Sequence, residues 1–242
     1  MRQAGRIVAR ILNELSGQME PGLSTLEIDR LAEVLIQKYG VKSAFKGYKG
    51  FKHCICTSIN DEVVHGIPTQ KRILKTGDII GLDFGVIHEG YYGDAAITLP
   101  VGDVPEETKK LLSVTEEALK KGISKMRVSN HLFDISHAIQ QCVESHGFSV
   151  VREFVGHGIG QKLHEDPAVP NYGEAHCGVQ LKEGMVFAVE PMVNQGGAAV
   201  KILNDGWTAV TVDRSLSAHF EHTIAILSHG PDILTTVGEM NA

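Results

Sequence analysis

An α+β fold built from two related halves is what this 242-residue sequence predicts, and three observations carry it. Twice the chain runs through a helix, a link, a second helix and a terminating glycine. From Gly40 to Gly77 is 37 residues, and from Gly147 to Gly184 is again 37. Six residues past the later glycine of each half an acid, Asp83 or Glu190, follows an apolar run. Agreement among independent offsets points to an internal repeat. The expected organisation is one domain over 1–242, with internal halves at roughly 1–103 and 104–242.

Residues 1–16 place Ala4, Ile7, Val8, Ile11, Leu12 and Leu15 on one face of a first helix. After Pro21-Gly22, Ser24-Thr25-Leu26-Glu27 is a capping-box start for a second helix carrying Ile28, Leu31, Leu35 and Ile36, which stops near Gly40. A strand then runs into Asp83, turns at His88-Glu89-Gly90 and returns through Asp94. A two-residue loop at His88-Glu89 sets Asp83 opposite Asp94, whereas one at Glu89-Gly90 needs a bulge to bring them together. Like charges opposed across a hairpin destabilise it unless something positive lies between. Asp83, with its apolar neighbours, reads as the less solvated of the two. The second half opens with a helix over roughly 105–121, carrying Leu111, Leu112, Thr115, Ala118 and Leu119. A fourth helix starts near Ser129, carries Leu132, Phe133, Ile139, Cys142 and Val143, and stops near Gly147. Ser129 leads Asp134 by five residues, as Ser24 leads Asp29. Packed about a pseudo-two-fold axis, such halves set Asp83 and Glu190 facing each other across it.

Composition narrows the function classes. The formal charge is −6, without a basic cluster, which makes a specific nucleic-acid partner unexpected. No stretch approaches 18 apolar residues, so no membrane span is expected. The opening MRQAGRIVAR carries arginines inside its apolar run and is not read as a signal peptide. The four cysteines, Cys54, Cys56, Cys142 and Cys177, lack metal-ribbon or redox-pair spacing and read as reduced thiols in a cytoplasmic protein.

A buried, unpaired carboxylate is costly and needs a partner. Asp83 and Glu190 are joined by Asp94, by Glu221 at the head of an apolar strand, and by His157 in the glycine-rich run from Phe154 to Gly160. Neither G-x-x-x-x-G-K-[ST] nor G-x-S-x-G occurs, so a phosphate cradle and a serine nucleophile are both disfavoured. Four carboxylates balance two divalent cations. One imidazole among oxygen donors, with no thiolate, suits manganese, iron, cobalt or zinc.

These motifs resemble the type I methionine aminopeptidases over essentially the whole chain. The signature of that family looks like Phe154-x-Gly156-His157-Gly158-Ile159-Gly160-x-x-x-His164-x-x-x-x-Val169-x-Asn171-Tyr172, complete here, and CTSINDEVVHGIP, GMVFAVEPMV and HFEHTIAI are similarly typical. The resemblance implies the pita-bread fold, two pseudo-two-fold related α+β halves around a dinuclear metal site. It implies a methionyl aminopeptidase that removes initiator methionine before a small second residue, using a metal-bridging hydroxide. Asp83 then chelates one metal, His157 and Glu190 hold the other, and Asp94 and Glu221 touch both; the cofactors are two divalent ions, cobalt, manganese, iron or zinc. Glu190 accepts the proton, His164 meets the scissile amide and the developing oxyanion, and His65 bonds near the amide of the second residue. Tyr48, Phe51, Cys56 and Trp207 match positions lining the methionine pocket. Phe45 stands where a smaller residue is frequent, Leu163 where phenylalanine is frequent, and Gly85 where threonine is frequent. The implied partners are peptides and nascent chains beginning with methionine, met in passing at the ribosome, with no membrane involved. No zinc-finger extension is expected before the catalytic region.

Proline-directed peptidases of the same fold use a similar ligand set but usually carry an additional N-terminal domain, for which 242 residues leave no room. Binding proteins derived from this fold have lost metal ligands, whereas all five ligand types are present here. A metal-storage role leaves His65 and His164 unexplained.

Overall fold

Local chemistry begins and ends the helices. Helix α1, Arg2–Ser16, buries Ala4, Val8, Ile11, Leu12 and Leu15, the face that periodicity picks out. Helix α2, Thr25–Tyr39, starts in a reciprocal cap: the Ser24 amide donates to the Glu27 carboxylate at 2.8 Å, and the Glu27 amide donates to Ser24 Oγ at 3.3 Å. It ends at Gly40, whose φ of 64° is left-handed, where glycine carries no Cβ penalty. The computed structural model describes residues 1–237. After α2 come β1, Lys42–Ser43; β2, Cys56–Ile59; β3, Glu62–Val64; and the long hairpin of β4, Ile79–His88, and β5, Tyr91–Pro100. The chain then repeats the helix pair, with α3, Glu106–Ser124, and α4, Leu132–Ser145. Ten strands follow: β6, Ser149–Val150; β7, Gly156–Gly158; β8, Glu165–Val169; β9, Val186–Val189; β10, Met192–Asn194; β11, Val200–Ile202; β12, Ala209–Thr211; β13, Ser217–His219; β14, His222–Leu227; and β15, Gly230–Ile233.

The repeat is real, but one of the offsets read from sequence is not part of it. Gly147, Gly184 and Glu190 each lie 107 residues after Gly40, Gly77 and Asp83. The same displacement carries Ser24 onto His131 and Glu27 onto Asp134, not Ser24 onto Ser129. Asp134 accepts from the His131 amide at 2.7 Å, as Glu27 does from Ser24. Ser24 and His131 also make matching isolated bridges, to Ile73 and Gln180. Ser129 lies outside α4 at φ 78° and donates its amide to the Leu181 carbonyl. The helix therefore begins at Leu132 rather than near Ser129.

Each half has its own core and its own hairpin. Ile11, Leu15, Ile28, Leu82 and Phe84 pack in the first; Leu111, Ile135, Ile139, Phe187 and Ile224 pack in the second. Strand β4 pairs with β5 along one edge and with β1 and β2 along the other. The turn is the two-residue Glu89-Gly90 loop, both residues at positive φ, so Gly85 faces Asp94 and Asp83 faces Ala96. No bulge is needed. With residues two apart sharing a face, Asp83 and Asp94 are diagonal neighbours on one side of the ribbon. In the second half the corresponding hairpin is broken on both strands, β4 becoming β9 and β10 around Glu190-Pro191, and β5 becoming β13 and β14 around Phe220-Glu221. Proline at 191 has no amide to continue the ladder. The register across the break, Val189 with His222 and Met192 with His219, sets Glu190 opposite Glu221.

The returning strands of the two hairpins meet across the pseudo-two-fold. There the displacement is 125 residues, so Asp94, Ala96 and Thr98 correspond to His219, Glu221 and Thr223. Ala96 and Glu221 exchange backbone hydrogen bonds at 3.4 and 2.8 Å. On one side Thr223 Oγ1 accepts from the Asp94 amide at 3.0 Å and donates to the Asp94 carbonyl at 2.7 Å. On the other, Thr98 Oγ1 accepts from the His219 amide at 2.9 Å and donates to its carbonyl at 2.7 Å. This reciprocal clasp joins the halves where the acids lie. Thr223→Val keeps the shape but strands a buried amide and carbonyl, each at about 1–3 kcal/mol. The expected loss of roughly 2–6 kcal/mol would be read from the denaturant midpoint at unchanged slope.

Candidate metal and active site

Four acids and a histidine converge because the hairpins bring them together. Asp83 and Asp94 come from β4 and β5, Glu190 and Glu221 from the two strand breaks, and His157 from the centre of β7. Ligand atoms of Asp94, His157 and Glu221 all lie within 4.8 Å of one another. Asp94, Glu221 and His157 are buried, at 4%, 3% and 7% exposure, while Asp83 and Glu190 are partly open to the cavity. The more buried of the hairpin acids is thus Asp94, the reverse of the expectation from apolar neighbours, because the second half covers β5. His157 Nδ1 donates to the Gly158 carbonyl at 2.9 Å, which leaves Nε2 of the neutral ring without its proton, 3.6 Å from Glu190 Oε1.

These groups are poorly satisfied by protein alone. Asp83 Oδ1, Asp94 Oδ1 and Glu221 Oε1 are buried without a hydrogen-bond partner. Burial raises the Asp94 carboxyl to about 7. Burial, then repulsion from neighbouring acids, pushes Asp83, Glu190 and Glu221 well above their usual range. Orphaned anionic oxygens beside an unprotonated imidazole nitrogen fit divalent cations, whose charge would bring all four acids back into their ionised form.

The remaining residues singled out in the sequence line the same cavity: His65, His164, Tyr48, Phe51, Cys56, Trp207, Phe45 and Leu163, beside the four acids and the histidine above. Its volume, about 150 Å³, holds one small apolar group rather than a folded peptide. Tyr48 Oη lies 2.8 Å from His164 Nδ1, and the two rings stack at 5.2 Å. Phe51 packs on Trp207 with centroids 5.0 Å apart. Phe45 turns inward over Gly85: a Cβ at that glycine would stand 3.0 Å from Phe45 Cε1 and 3.1 Å from Asp94 Oδ1. Burial lowers His65 and His164 to about 4, with smaller contributions from a neighbouring histidine and from Lys49. His65 itself sits at φ 60°, a conformation that costs energy outside glycine and is held by the surrounding loop.

Two residues near the site were not singled out from sequence. Lys49 lines the mouth, with Nζ 5.4 Å from the Tyr48 ring. His219, 4% exposed, puts Nε2 3.6 Å from Glu190 Oε2. A lysine between glycines reads as solvated loop, and a histidine beside an apolar strand reads as packing. The signal for His219 is the 125-residue displacement onto Asp94, visible only once the hairpin registers are known.

Comparison with known proteins agrees with this geometry. Residues 1–228 match the family model described as Metallopeptidase family M24. The chain is 56% identical to methionine aminopeptidase 1 of Bacillus subtilis, over 98% of this chain and 95% of that one. A crystal structure of methionine aminopeptidase from Thermotoga maritima superposes with a TM-score of 0.96 at 48% identity, covering 98% of this chain and 95% of that chain. A prolidase from Pyrococcus furiosus, 20% identical, has a TM-score of 0.79 and is covered over only 63% of its length against 99% of this chain, a likeness of fold alone. The chain belongs to metallopeptidase family M24; it has the pita-bread fold and is a metal-dependent hydrolase.

The acid cluster has a measurable consequence in protein stripped of metal by a chelator. An acid held above its ordinary value lowers fold stability as pH rises, because the unfolded chain gives up its proton first. For Asp94 the window runs from its ordinary 3.8 to about 7. Chelated Asp94→Asn should therefore melt above chelated wild type, the gap widening across that window and levelling beyond it, while its divalent-ion affinity collapses. Thermal melts from acid to neutral pH, with and without added Mn²⁺, read both effects.

Proposed function

We propose that this protein is a methionyl aminopeptidase that removes N-terminal methionine from peptides and nascent chains whose second residue is small. The observation that carries the proposal is the convergence of four carboxylates and one unprotonated imidazole nitrogen beside a small apolar cavity. Asp83, Asp94, His157, Glu190 and Glu221 would hold two divalent ions. Such ions would polarise a carbonyl oxygen and make a water between them a stronger acid, towards about 7.

The protein's own groups do the rest. Glu190, at the rim of the cluster, would take the proton of the attacking water on a carboxylate oxygen. With Tyr48 donating its hydroxyl to His164 Nδ1, the His164 Nε2 proton is left to meet the peptide carbonyl as negative charge develops there. Burial keeps that ring neutral at physiological pH, so it serves as a hydrogen-bond donor rather than a cation competing for the acids. His65, neutral for the same reason, would hold the amide of the second residue. Tyr48, Phe51, Cys56, Trp207, Phe45 and Leu163 would enclose the thioether, a flexible and polarizable side chain suited to an apolar slot of this size. In this reading residues 1–242 are one catalytic unit with halves meeting near 103 and 104. The same reading places its work in the cytoplasm, where nascent chains emerge; among the described residues no helix is long and apolar enough to cross a membrane. Contact with the ribosome would be transient, because a net charge of −6 favours no lasting hold on RNA.

Activity on Met-Ala-Ser, Met-Lys-Ser and Xaa-Pro peptides tests the proposal. After chelation, activity should vanish and return on titration with Mn²⁺, Co²⁺, Fe²⁺ or Zn²⁺, with Met-Ala-Ser far ahead of the other two. Rapid Xaa-Pro hydrolysis without Met-Ala-Ser cleavage would overturn it. A separate variant isolates the carbonyl contact: His164→Ala should bind metal as wild type does but lose about 10²–10³ in kcat, the usual cost of removing one such donor. Full turnover in that variant would remove His164 from the mechanism.

A further inference from the structure

Glu190 lies between two imidazoles. Its Oε1 is 3.6 Å from His157 Nε2, and its Oε2 is 3.6 Å from His219 Nε2. The two sides differ chemically. His157 spends its ring proton on the Gly158 carbonyl, so Oε1 and His157 Nε2 present lone pairs to each other, an arrangement that suits a shared cation. On the other side His219 Nε2 is buried with no hydrogen-bond partner, and the nearby group able to accept from it is Glu190 Oε2.

Symmetry gives His219 a second, independent mark. It is the counterpart of Asp94, standing diagonally to Glu190 as Asp94 stands to Asp83. Thr98 pins its backbone as Thr223 pins that of Asp94. The second half thus carries, at the place of a candidate metal ligand, a buried imidazole that faces an acid.

We propose that His219 is a positioning residue whose Nε2–H holds Oε2 of Glu190, keeping Oε1 turned toward His157 and the ion site. A movement of roughly half an ångström brings the pair to hydrogen-bond length. Without the donor, the Glu190 carboxylate is free to rotate and its outer oxygen loses the imidazole that faces it. The inference rests on the proposed function only in giving Glu190 its roles as ligand and proton acceptor.

The test compares His219→Leu, which fills the space without a donor, with His219→Gln, whose side-chain amide can donate to the same oxygen. Mn²⁺ affinity is measured calorimetrically on chelated protein, alongside kcat and KM on Met-Ala-Ser and melting temperature. His219→Leu should weaken Mn²⁺ about 10–100-fold, the range typical when a group orienting a metal ligand is removed. Its kcat should fall with KM little changed, and His219→Gln should recover most of both. Wild-type Mn²⁺ affinity in His219→Leu, or a loss in His219→Gln as large as in His219→Leu, overturns the assignment. If wild type fails to cleave Met-Ala-Ser but His219→Leu still weakens Mn²⁺, the proposed function falls and the positioning role stands. Should His219→Leu not fold, Thr98→Val releases the backbone of His219 and keeps its side chain; Mn²⁺ affinity should drop, and an unchanged value overturns the proposal.

Discussion

Mutual repulsion among buried carboxylates is the constraint around which this molecule is arranged. Two such charges about 5 Å apart repel by roughly 3 kcal/mol even at an effective dielectric near 20, and four of them share one cavity. Protein donors do little to relieve this: three acids bury an oxygen with no hydrogen-bond partner, and burial raises all four carboxyls. The clasp between the hairpins must therefore hold together a cluster that tends to separate. Thr98 and Thr223 do so without adding charge, each satisfying both backbone groups of a residue in the other half.

A symmetric scaffold carries an asymmetric site because equivalent positions have been given different residues. Asp83 and Glu190 are true counterparts. Their companions are not: Asp94 answers to His219, and Glu221 answers to Ala96. Each half thus brings two acids to the cluster from its hairpin, but on different rungs, so the second half is not a copy of the first turned through the axis. Proline at 191 interrupts one strand beside Glu190, where the first half runs unbroken through Asp83. His157, with a ring proton committed to the backbone, then completes one side of the cluster with a nitrogen lone pair.

Much of this was legible in the sequence, for identifiable reasons. Both ends of helix α2 were legible because Ser24, Glu27 and Gly40 make backbone-specific hydrogen bonds or a left-handed turn, which are local events. The start of α4 could not, since His131 is an uncommon cap and Ser129 resembles a better one. The hairpin register was open between two loops one residue apart, and the left-handed pair Glu89-Gly90 decided it. The residues expected at the site, which line one cavity, were legible because the motifs that carry them are strung along the chain in a family-specific order. Lys49 and His219 did not, because each matters only through what the fold sets beside it. The greater burial of Asp94 belongs to the same class: the cover over β5 comes from residues more than a hundred positions away.

The histidines complete the electrostatic logic. His65, His157, His164 and His219 all have their protonation pushed down by burial, so at neutral pH none supplies positive charge to the cluster. The acids are left to be balanced by ions, and four negative charges against two divalent cations close that balance. Each ring is then free for a task that needs a neutral imidazole. His157 offers a lone pair because its other nitrogen serves the backbone, and His164 offers a proton because Tyr48 can serve its other nitrogen. One desolvated environment thus leaves one ring with a free lone pair and another with a free proton, and the distinction lies in what each ring touches on the side away from the cavity.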